Sequence, residues 1–437
     1  MSPRRAWRVG GVAAVAAVVA FAAAAAAQTV DVQRARTLVV GTPPGTRADR
    51  VDDARTGRTR TGLPTSALRT KWRLPVGALV EVAPLVDARG TTYVIGTRGE
   101  VVAVAPDGTE RWRASTGAMQ PGPGALLSDD TVVFVDAAGE AVAVREGSLR
   151  WRVRFGRGDA AHPAPLTLDD GGVVVATTRD LAVLDADGRE RARTTLAEPT
   201  TVPLLAALGK VVAVTASGAV WTWSPGAEPT RVASFGAGID DGAVLTDDHT
   251  LIAVTAARGH VAAVDLVRGT TTTRAVAPAG LWLGPPAVRA GVAYLVLLAP
   301  TSELAVGIDA SGAERIRAPL GTRLPAVTTD GGVAPLVAGP HTPALIDDAG
   351  TLAFATTDGA IGVIDTAAGA TVELLADACP PFATRAVGGG GVAAPTVALA
   401  PLEPGVFVAA CRSGTLLAVH GAGPAAAASG ERQPPHL

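Results

Sequence analysis

The chain has 437 residues and a formal net charge of −2, with 38 Lys and Arg against 40 Asp and Glu. This balance excludes the basic footprint of a nucleic-acid-binding protein, so we predict no nucleic-acid partner. Hydrophobic residues make up 48% of the sequence, and internal repeats favour one large domain over several small ones.

The first 27 residues have the three parts of an export signal. Arg4, Arg5 and Arg8 form a charged start, residues 9–27 are apolar, and Ala25 to Ala27 form a small-residue cleavage site before Gln28. We predict a signal peptide over residues 1–27 and a location in the periplasm or cell envelope. The alternative is an uncleaved anchor, because 19 apolar residues can just span a bilayer. Membrane contact is expected only through this segment.

Residues 28–66 are rich in Arg, Asp, Thr, Gly and Pro and show no sustained period of 2 or 3.6. They are predicted to form a disordered linker, with a docking segment as the alternative. The Ala-, Gly- and Pro-rich residues 422–437 are predicted to be a disordered tail.

A unit of three strand-like runs occupies residues 91–115, reading TTYVIGT, EVVAVAP and TERWRAS. Arg98-Gly99 and Asp107-Gly108 separate the runs and supply the positive φ that tight hairpin turns require. The unit recurs with a period near 40, which is typical of a β-propeller with four strands per blade. Eight inner strands are predicted, at residues 82–88, 123–129, 163–169, 201–207, 242–248, 285–291, 342–348 and 393–399.

The two ends of the repeat region complement each other. The eighth unit ends near Gly421 without an outer strand, whereas residues 67–77 form a strand without a blade. We therefore predict an all-β, eight-bladed β-propeller of four-stranded antiparallel blades over residues 67–421, closed by an N-terminal strand that completes the last blade. Insertions at 318–341 and 376–391 interrupt the period. The alternative for the first insertion is that it belongs to a ninth blade.

These units resemble the repeats of the pyrroloquinoline-quinone-type (PQQ-like) propeller superfamily, and in particular its BamB-like branch. That resemblance implies a non-catalytic exported scaffold for protein–protein interaction in outer-membrane or envelope protein assembly. We expect a monomer with protein partners in the cell envelope.

The same superfamily contains quinoprotein dehydrogenases, which hold the quinone and a Ca²⁺ ion in the propeller channel. The chain departs from that pattern, since it has no Asn and its two cysteines are not adjacent. Its six histidines form no HxxxH or HExxH pair. We therefore predict no catalytic, cofactor-binding or metal-binding residues and no cofactor. A PQQ-dependent dehydrogenase and a small-ligand sensor are the alternatives.

The remaining predictions concern individual side chains. Trp72, Trp112 and Trp151 recur at the outer-strand position and are predicted to dock between adjacent blades. Trp282, in a loop leading into the sixth blade, and His162 and His341, before inner strands, form the candidate interaction surface.

Cys379 and Cys411 are the only cysteines. In an exported protein they are expected to form a disulfide, with two buried thiols as the alternative.

Overall fold

The computed structural model describes residues 57–158, 163–200, 202–246, 248–255, 260–275, 281–282, 285–298, 302–309, 312–320, 328–329, 332–333, 344–367, 372–380, 382–384, 391–393 and 396–423. The predicted signal peptide, most of the linker and most of the tail lie outside these residues. Across the described ranges all regular structure is β-strand. No helix in this part of the chain has the length and apolar character needed to cross a membrane.

Two strands precede the first complete repeat: β1 (Arg58–Thr59) and β2 (Ser66–Pro75). Blades 1 to 4 follow as four-stranded antiparallel sheets, each made of four consecutive strands. Their bounds are β3 (Leu85–Val86), β4 (Thr92–Ile95), β5 (Glu100–Val104) and β6 (Glu110–Ser115); β7 (Ala125–Leu126), β8 (Val132–Val135), β9 (Glu140–Arg145) and β10 (Ser148–Arg154); β11 (Leu166–Thr167), β12 (Val173–Ala176), β13 (Asp180–Leu184) and β14 (Glu190–Thr195); and β15 (Leu205–Ala207), β16 (Lys210–Val214), β17 (Ala219–Trp223) and β18 (Thr230–Ser234).

Blades 5 to 8 continue the pattern, with two short hairpins between them. Blade 5 contains β19 (Ile239–Leu245), β20 (Thr250–Thr255), β21 (His260–Asp265) and β22 (Thr270–Ala275), and blade 6 contains β23 (Leu281–Trp282), β24 (Ala287–Arg289), β25 (Val292–Leu298), β26 (Glu303–Asp309) and β27 (Glu314–Pro319). The first hairpin is β28 (Thr328–Thr329) with β29 (Gly332–Val333), and blade 7 contains β30 (Leu345–Asp347), β31 (Thr351–Ala355), β32 (Ile361–Asp365) and β33 (Val372–Leu375). The second hairpin is β34 (Phe382–Thr384) with β35 (Gly391–Ala393), and blade 8 contains β36 (Thr396–Glu403), β37 (Val406–Cys411) and β38 (Thr415–Ala422).

Blade 8 obtains its outer strand from the N-terminal side of the chain. Strand β2 pairs antiparallel with β38, so that Arg73 lies opposite Leu417 and Thr70 opposite Val419. The sheet order is β2-β38-β37-β36. The predicted closure of the ring is therefore confirmed, and so is the eight-bladed fold. The hairpin of β28 and β29 forms a separate two-stranded sheet, so the described residues of the first insertion do not add a ninth blade.

Among the described residues, the hydrophobic core is divided into eight clusters, one at each junction between adjacent blades. At the closing junction, Val408 and Leu416 of blade 8 pack with Val102 of blade 1. Because the second and third strands of each blade are almost continuously apolar, both of their faces are buried against neighbouring blades, as the ring requires. The core is thus a ring of inter-blade layers, in which the closing junction is packed like the others.

The antiparallel order of the strands defines two rims. The connection from one blade to the next and the turn between the second and third strands lie at one end of the blades, which we call the upper rim. The turns between the first and second strands and between the third and fourth strands lie at the other end, the lower rim. This distinction decides which surface each candidate residue belongs to.

Two local expectations need correction. The linker was expected to extend to residue 66, but residues 57–66 are part of the folded structure, with β1 paired in parallel to β30. Trp282 was expected in a loop, but it lies in β23, opposite Leu297. The inner strand of blade 6 is interrupted at Pro285 and Pro286, which cannot donate backbone hydrogen bonds, so the residues before them resemble a loop in sequence.

Candidate protein-interaction surface

The upper rim of blades 8, 1 and 2 exposes two large apolar side chains on connections that flank one turn of blade 1. Leu79, in the connection from blade 8 to blade 1, is 44% exposed, and Met119, in the connection from blade 1 to blade 2, is 60% exposed. Both connections bond to the same turn of blade 1: Thr97 N donates to Leu79 O (2.9 Å), and Gln120 N donates to Thr97 O (3.0 Å). We call this region the Leu79–Met119 surface.

The backbone beneath this surface is fixed by close contact between the turn of blade 1 and the connection that follows. Gly99 has φ of 78°, and a Cβ atom there would lie 2.4 Å from Thr116 Oγ1 and 2.6 Å from Ala118 N. Thr116 Oγ1 also donates to Gly99 O at 2.8 Å. Only glycine permits this approach. Met119 is therefore presented on a well-supported backbone.

Charged residues occur in the same connection and in the neighbouring turns. Arg98 is exposed, and its backbone N–H donates to Glu100 Oε2 at 3.2 Å. The guanidinium of Arg412, in the adjacent turn of blade 8, is 3% exposed and lies 3.3 Å from Glu81 Oε1. Burial lowers the pKa of Arg412, and the Glu81 carboxylate opposes that effect. An apolar centre with a charged border is the usual arrangement of a protein-binding surface.

Two of the predicted docking tryptophans contact the next blade at the lower rim. Trp72 Nε1 donates to Pro106 O at 2.9 Å, and a Cβ atom on Gly108 would lie 2.7 Å from its ring. Trp151 has the same relation to blade 3, since its Nε1 donates to Ala186 O at 2.9 Å. Each outer-strand indole thus covers the third turn of the following blade.

Trp112 occupies the same position in blade 1. It is half-buried, and its ring centroid lies 5.8 Å from that of Tyr93. Gly147, in the third turn of blade 2, approaches it so closely that a Cβ atom on this glycine would lie 3.5 Å from Trp112 Cβ. The three tryptophans therefore contact the next blade along the ring and contribute to packing.

The other residues predicted from the sequence fall into three groups. His162 and His341 lie outside the described residues. Trp282 lies in β23 near the upper rim. Cys379 and Cys411 are joined by a disulfide and are fully buried, linking the connection after β33 to the end of β37.

Sequence reasoning missed Leu79 and Met119. A single apolar residue in a short connection has no periodic pattern, and its exposure depends on how neighbouring connections fold over the ring. The only signal was the lack of any strand assignment for these two residues.

The fold family raises the question of a quinone held with Ca²⁺. Within the described part of the chain, no group of three or more His, Cys, Asp and Glu residues is arranged to hold a metal ion. The inner strands consist mainly of buried apolar residues, such as Leu85, Leu166 and Leu205. Buried carboxylates at inner-strand ends, Asp87 and Asp347, accept hydrogen bonds from backbone N–H groups instead. We derive no catalytic step through this cofactor from the described residues.

Comparison with known proteins agrees with the architecture. The fold and its repeats define a propeller of the PQQ-like class. The family model for "Outer membrane protein assembly factor BamB" matches residues 97–371, more than half of the chain, so the chain belongs to that family. No curated protein sequence matches it significantly.

Solved structures similar to this chain include both scaffold and enzyme propellers. BamB from Moraxella catarrhalis has a TM-score of 0.56 at 13% identity, with 85% of this chain and 100% of that chain covered. Quinohemoprotein alcohol dehydrogenase from Comamonas testosteroni has a TM-score of 0.62 at 12% identity, with 90% and 82% covered. A europium-containing methanol dehydrogenase has a TM-score of 0.59 at 11% identity, with 87% and 98% covered. At these identities the likeness shows the fold alone.

Proposed function

We propose that the protein is a non-catalytic scaffold of the cell envelope that binds a protein partner through the Leu79–Met119 surface. The observation that carries this proposal is the exposed apolar pair, whose two connections are hydrogen-bonded to one turn of blade 1. Membership in the BamB family supports a role in outer-membrane protein assembly and a partner among barrel or assembly proteins. The predicted export signal supports a periplasmic location.

The test is a cross-linked affinity purification of the full chain from its native envelope, read by mass spectrometry. The double variant L79E/M119E places two carboxylates at the centre of the surface and should reduce recovery of envelope partners at least tenfold. Val267, 67% exposed in the third turn of blade 5 on the lower rim, provides the matched control V267E. Equal recovery with L79E/M119E and V267E would contradict the proposed surface.

A further inference from the structure

The N-terminal residues 57–65, which we call the strap, cross the lower rim from blade 7 to blade 8. Strand β1 adds to the axial side of β30, and Ile346 N donates to Gly57 O at 2.9 Å. Gly405 N donates to Gly62 O at 2.8 Å in the first turn of blade 8. Thr65 N then donates to Ala422 O at 2.7 Å. The strap is thus bound by strand addition at one end and by single backbone contacts further along.

Two side chains anchor the strap. Arg58 Nε donates to Asp348 Oδ1 at 2.7 Å, and both side chains of this ion pair remain well exposed, at 39% and 47%. Leu63 is fully buried in the cluster between blades 7 and 8, beside Leu345 and Leu399. The first anchor is therefore the Arg58 cation at the Asp348 carboxylate. The second is the Leu63 side chain, five residues later, in the apolar cluster between blades 7 and 8, which we call the Leu63 pocket.

A third anchor is revealed by comparing blade 7 with blade 1. In blade 1, Asp87 Oδ1 accepts from the backbone N–H groups of Arg89 and Thr91, at 2.8 Å each, and its Oδ2 accepts from Tyr93 Oη at 3.1 Å. The carboxylate is satisfied within its own blade. Tyr93 lies opposite Leu85 in the strand register.

Blade 7 has an aspartate at the position equivalent to Asp87, but it has no tyrosine at the position equivalent to Tyr93. Asp347 Oδ1 accepts from Gly350 N (2.8 Å) and Thr351 N (2.7 Å), but Ala353 occupies the register position opposite Leu345. An alanine has no hydroxyl, and Asp347 Oδ2 accepts instead from Leu63 N of the strap at 2.8 Å. Because a buried carboxylate oxygen without a donor is costly, this edge of blade 7 requires a peptide N–H from outside the blade.

We propose that the axial edge of blade 7, with Asp347, Asp348 and the Leu63 pocket, is a peptide-binding site whose resident occupant is the strap. Its ligand class is an extended peptide that adds a parallel strand and carries an arginine followed five residues later by an aliphatic side chain. Strand addition supplies affinity through the backbone, and the two side-chain anchors supply specificity. The strap leaves this site when a peptide of the same chemistry replaces it.

The test uses the full chain and a fluorescent peptide with the sequence of residues 57–65. In the variant R58A/L63A the strap loses both side-chain anchors while the site stays intact. The peptide should bind this variant saturably and at least tenfold more tightly than it binds the wild-type chain, in which the strap competes. Fluorescence anisotropy measures both affinities.

Adding D347N to R58A/L63A distinguishes binding at the proposed site from non-specific binding of the peptide. The asparagine keeps Oδ1 as an acceptor for Gly350 and Thr351 but turns the strap-facing acceptor into a donor, so peptide affinity should fall at least tenfold. The matched control is D87N in the same background, which alters blade 1 and should leave peptide affinity unchanged.

Equal affinity with and without D347N, or no saturable binding to R58A/L63A, would overturn the proposal. Loss of cooperative unfolding in R58A/L63A would overturn it as well, because a strap required for folding cannot be exchanged for a ligand. The site is on the lower rim and the Leu79–Met119 surface is on the upper rim, so the two proposals can fail independently.

Discussion

Asp87 illustrates how one buried residue can make the fold sensitive to pH. Burial by itself raises the pKa of the Asp87 carboxyl, but hydrogen bonds from the backbone N–H groups of Thr91 and Arg89 outweigh it, with help from Tyr93 Oη. The pKa therefore lies below its ordinary value of 3.8. Burial and the same carboxylate raise the pKa of Tyr93. The pair is consequently a negatively charged acceptor with a neutral phenol donor.

The variant D87N should measure this contribution. A depressed folded-state pKa stabilises the protein above the unfolded-state pKa, and the stabilisation is lost as pH falls through the folded-state value. Near pH 7 we expect D87N to lower the free energy of unfolding by about 1.5–3 kcal/mol, the range for a hydrogen bond to a charged group. The difference from wild type should shrink below about pH 3.9. Urea unfolding at several pH values checks this, and a pH-independent difference would contradict it.

The indole of Trp72 and the backbone of Gly108 are coupled at the closing junction. Gly108 has φ of 89°, and an added Cβ atom would lie 2.7 Å from the Trp72 ring. We expect G108A to cost about 1–2 kcal/mol for the left-handed backbone plus a further cost for displacing the ring. In the W72A background only the backbone cost should remain, so the double variant should be less destabilised than the sum of the single variants.

Gly226 provides the control for that cycle. It has φ of 86°, and a Cβ atom there would meet nothing within 4 Å. The variant G226A should therefore show the backbone cost alone, with no dependence on Trp72. Additive effects of W72A and G108A in urea unfolding would argue against the docking contact.

At the scale of elements, β2 joins the two ends of the chain. This strand is ten residues long and pairs antiparallel with β38, and its Leu68 is buried in the core between blades 7 and 8. Deleting Ser66–Pro75 should leave β38 as an uncovered edge and lower the melting temperature by at least about 10 °C, since it removes several kcal/mol of packing and pairing. Thermal unfolding monitored by circular dichroism measures the change. An unchanged melting temperature would contradict closure by β2.

The outer strands also show how the blades avoid pairing with other molecules. Repeated ion pairs between residues three apart line these edges: Arg113 with Glu110 (2.6 Å), Arg193 with Glu190 (2.5 Å) and Arg317 with Glu314 (2.6 Å). Such pairs are exposed and add little stability. Charged side chains along an edge strand disfavour edge-to-edge association, which is consistent with the predicted monomer.

At the scale of the whole molecule, the sequence predicts the propeller well because its determinants are local and repeated. Glycines at hairpin turns such as Gly99 and Gly108 set the strand boundaries, and apolar runs such as residues 101–105 identify strands buried on both faces. Closure of the ring could be predicted because the eighth repeat unit lacked an outer strand and residues 67–77 formed a strand without a blade.

The strap and the Leu79–Met119 surface could not be predicted from the sequence, and the reason is physical. Strand β1 is two residues long, and the position of the strap depends on Asp347, which lies 284 residues after Leu63 and has no tyrosine partner. The exposure of Leu79 and Met119 depends on contacts between separate connections. Neither feature has a period or a motif, so each required the folded ring.

The most direct test of the scaffold account is a calorimetric titration of the full chain with pyrroloquinoline quinone in the presence of Ca²⁺. The structural neighbours include dehydrogenases as well as BamB, so this measurement separates the two classes. A scaffold should show no saturable heat and no reduction of an electron-accepting dye with alcohol or sugar. Stoichiometric quinone binding with dye reduction would contradict the account and indicate an enzyme.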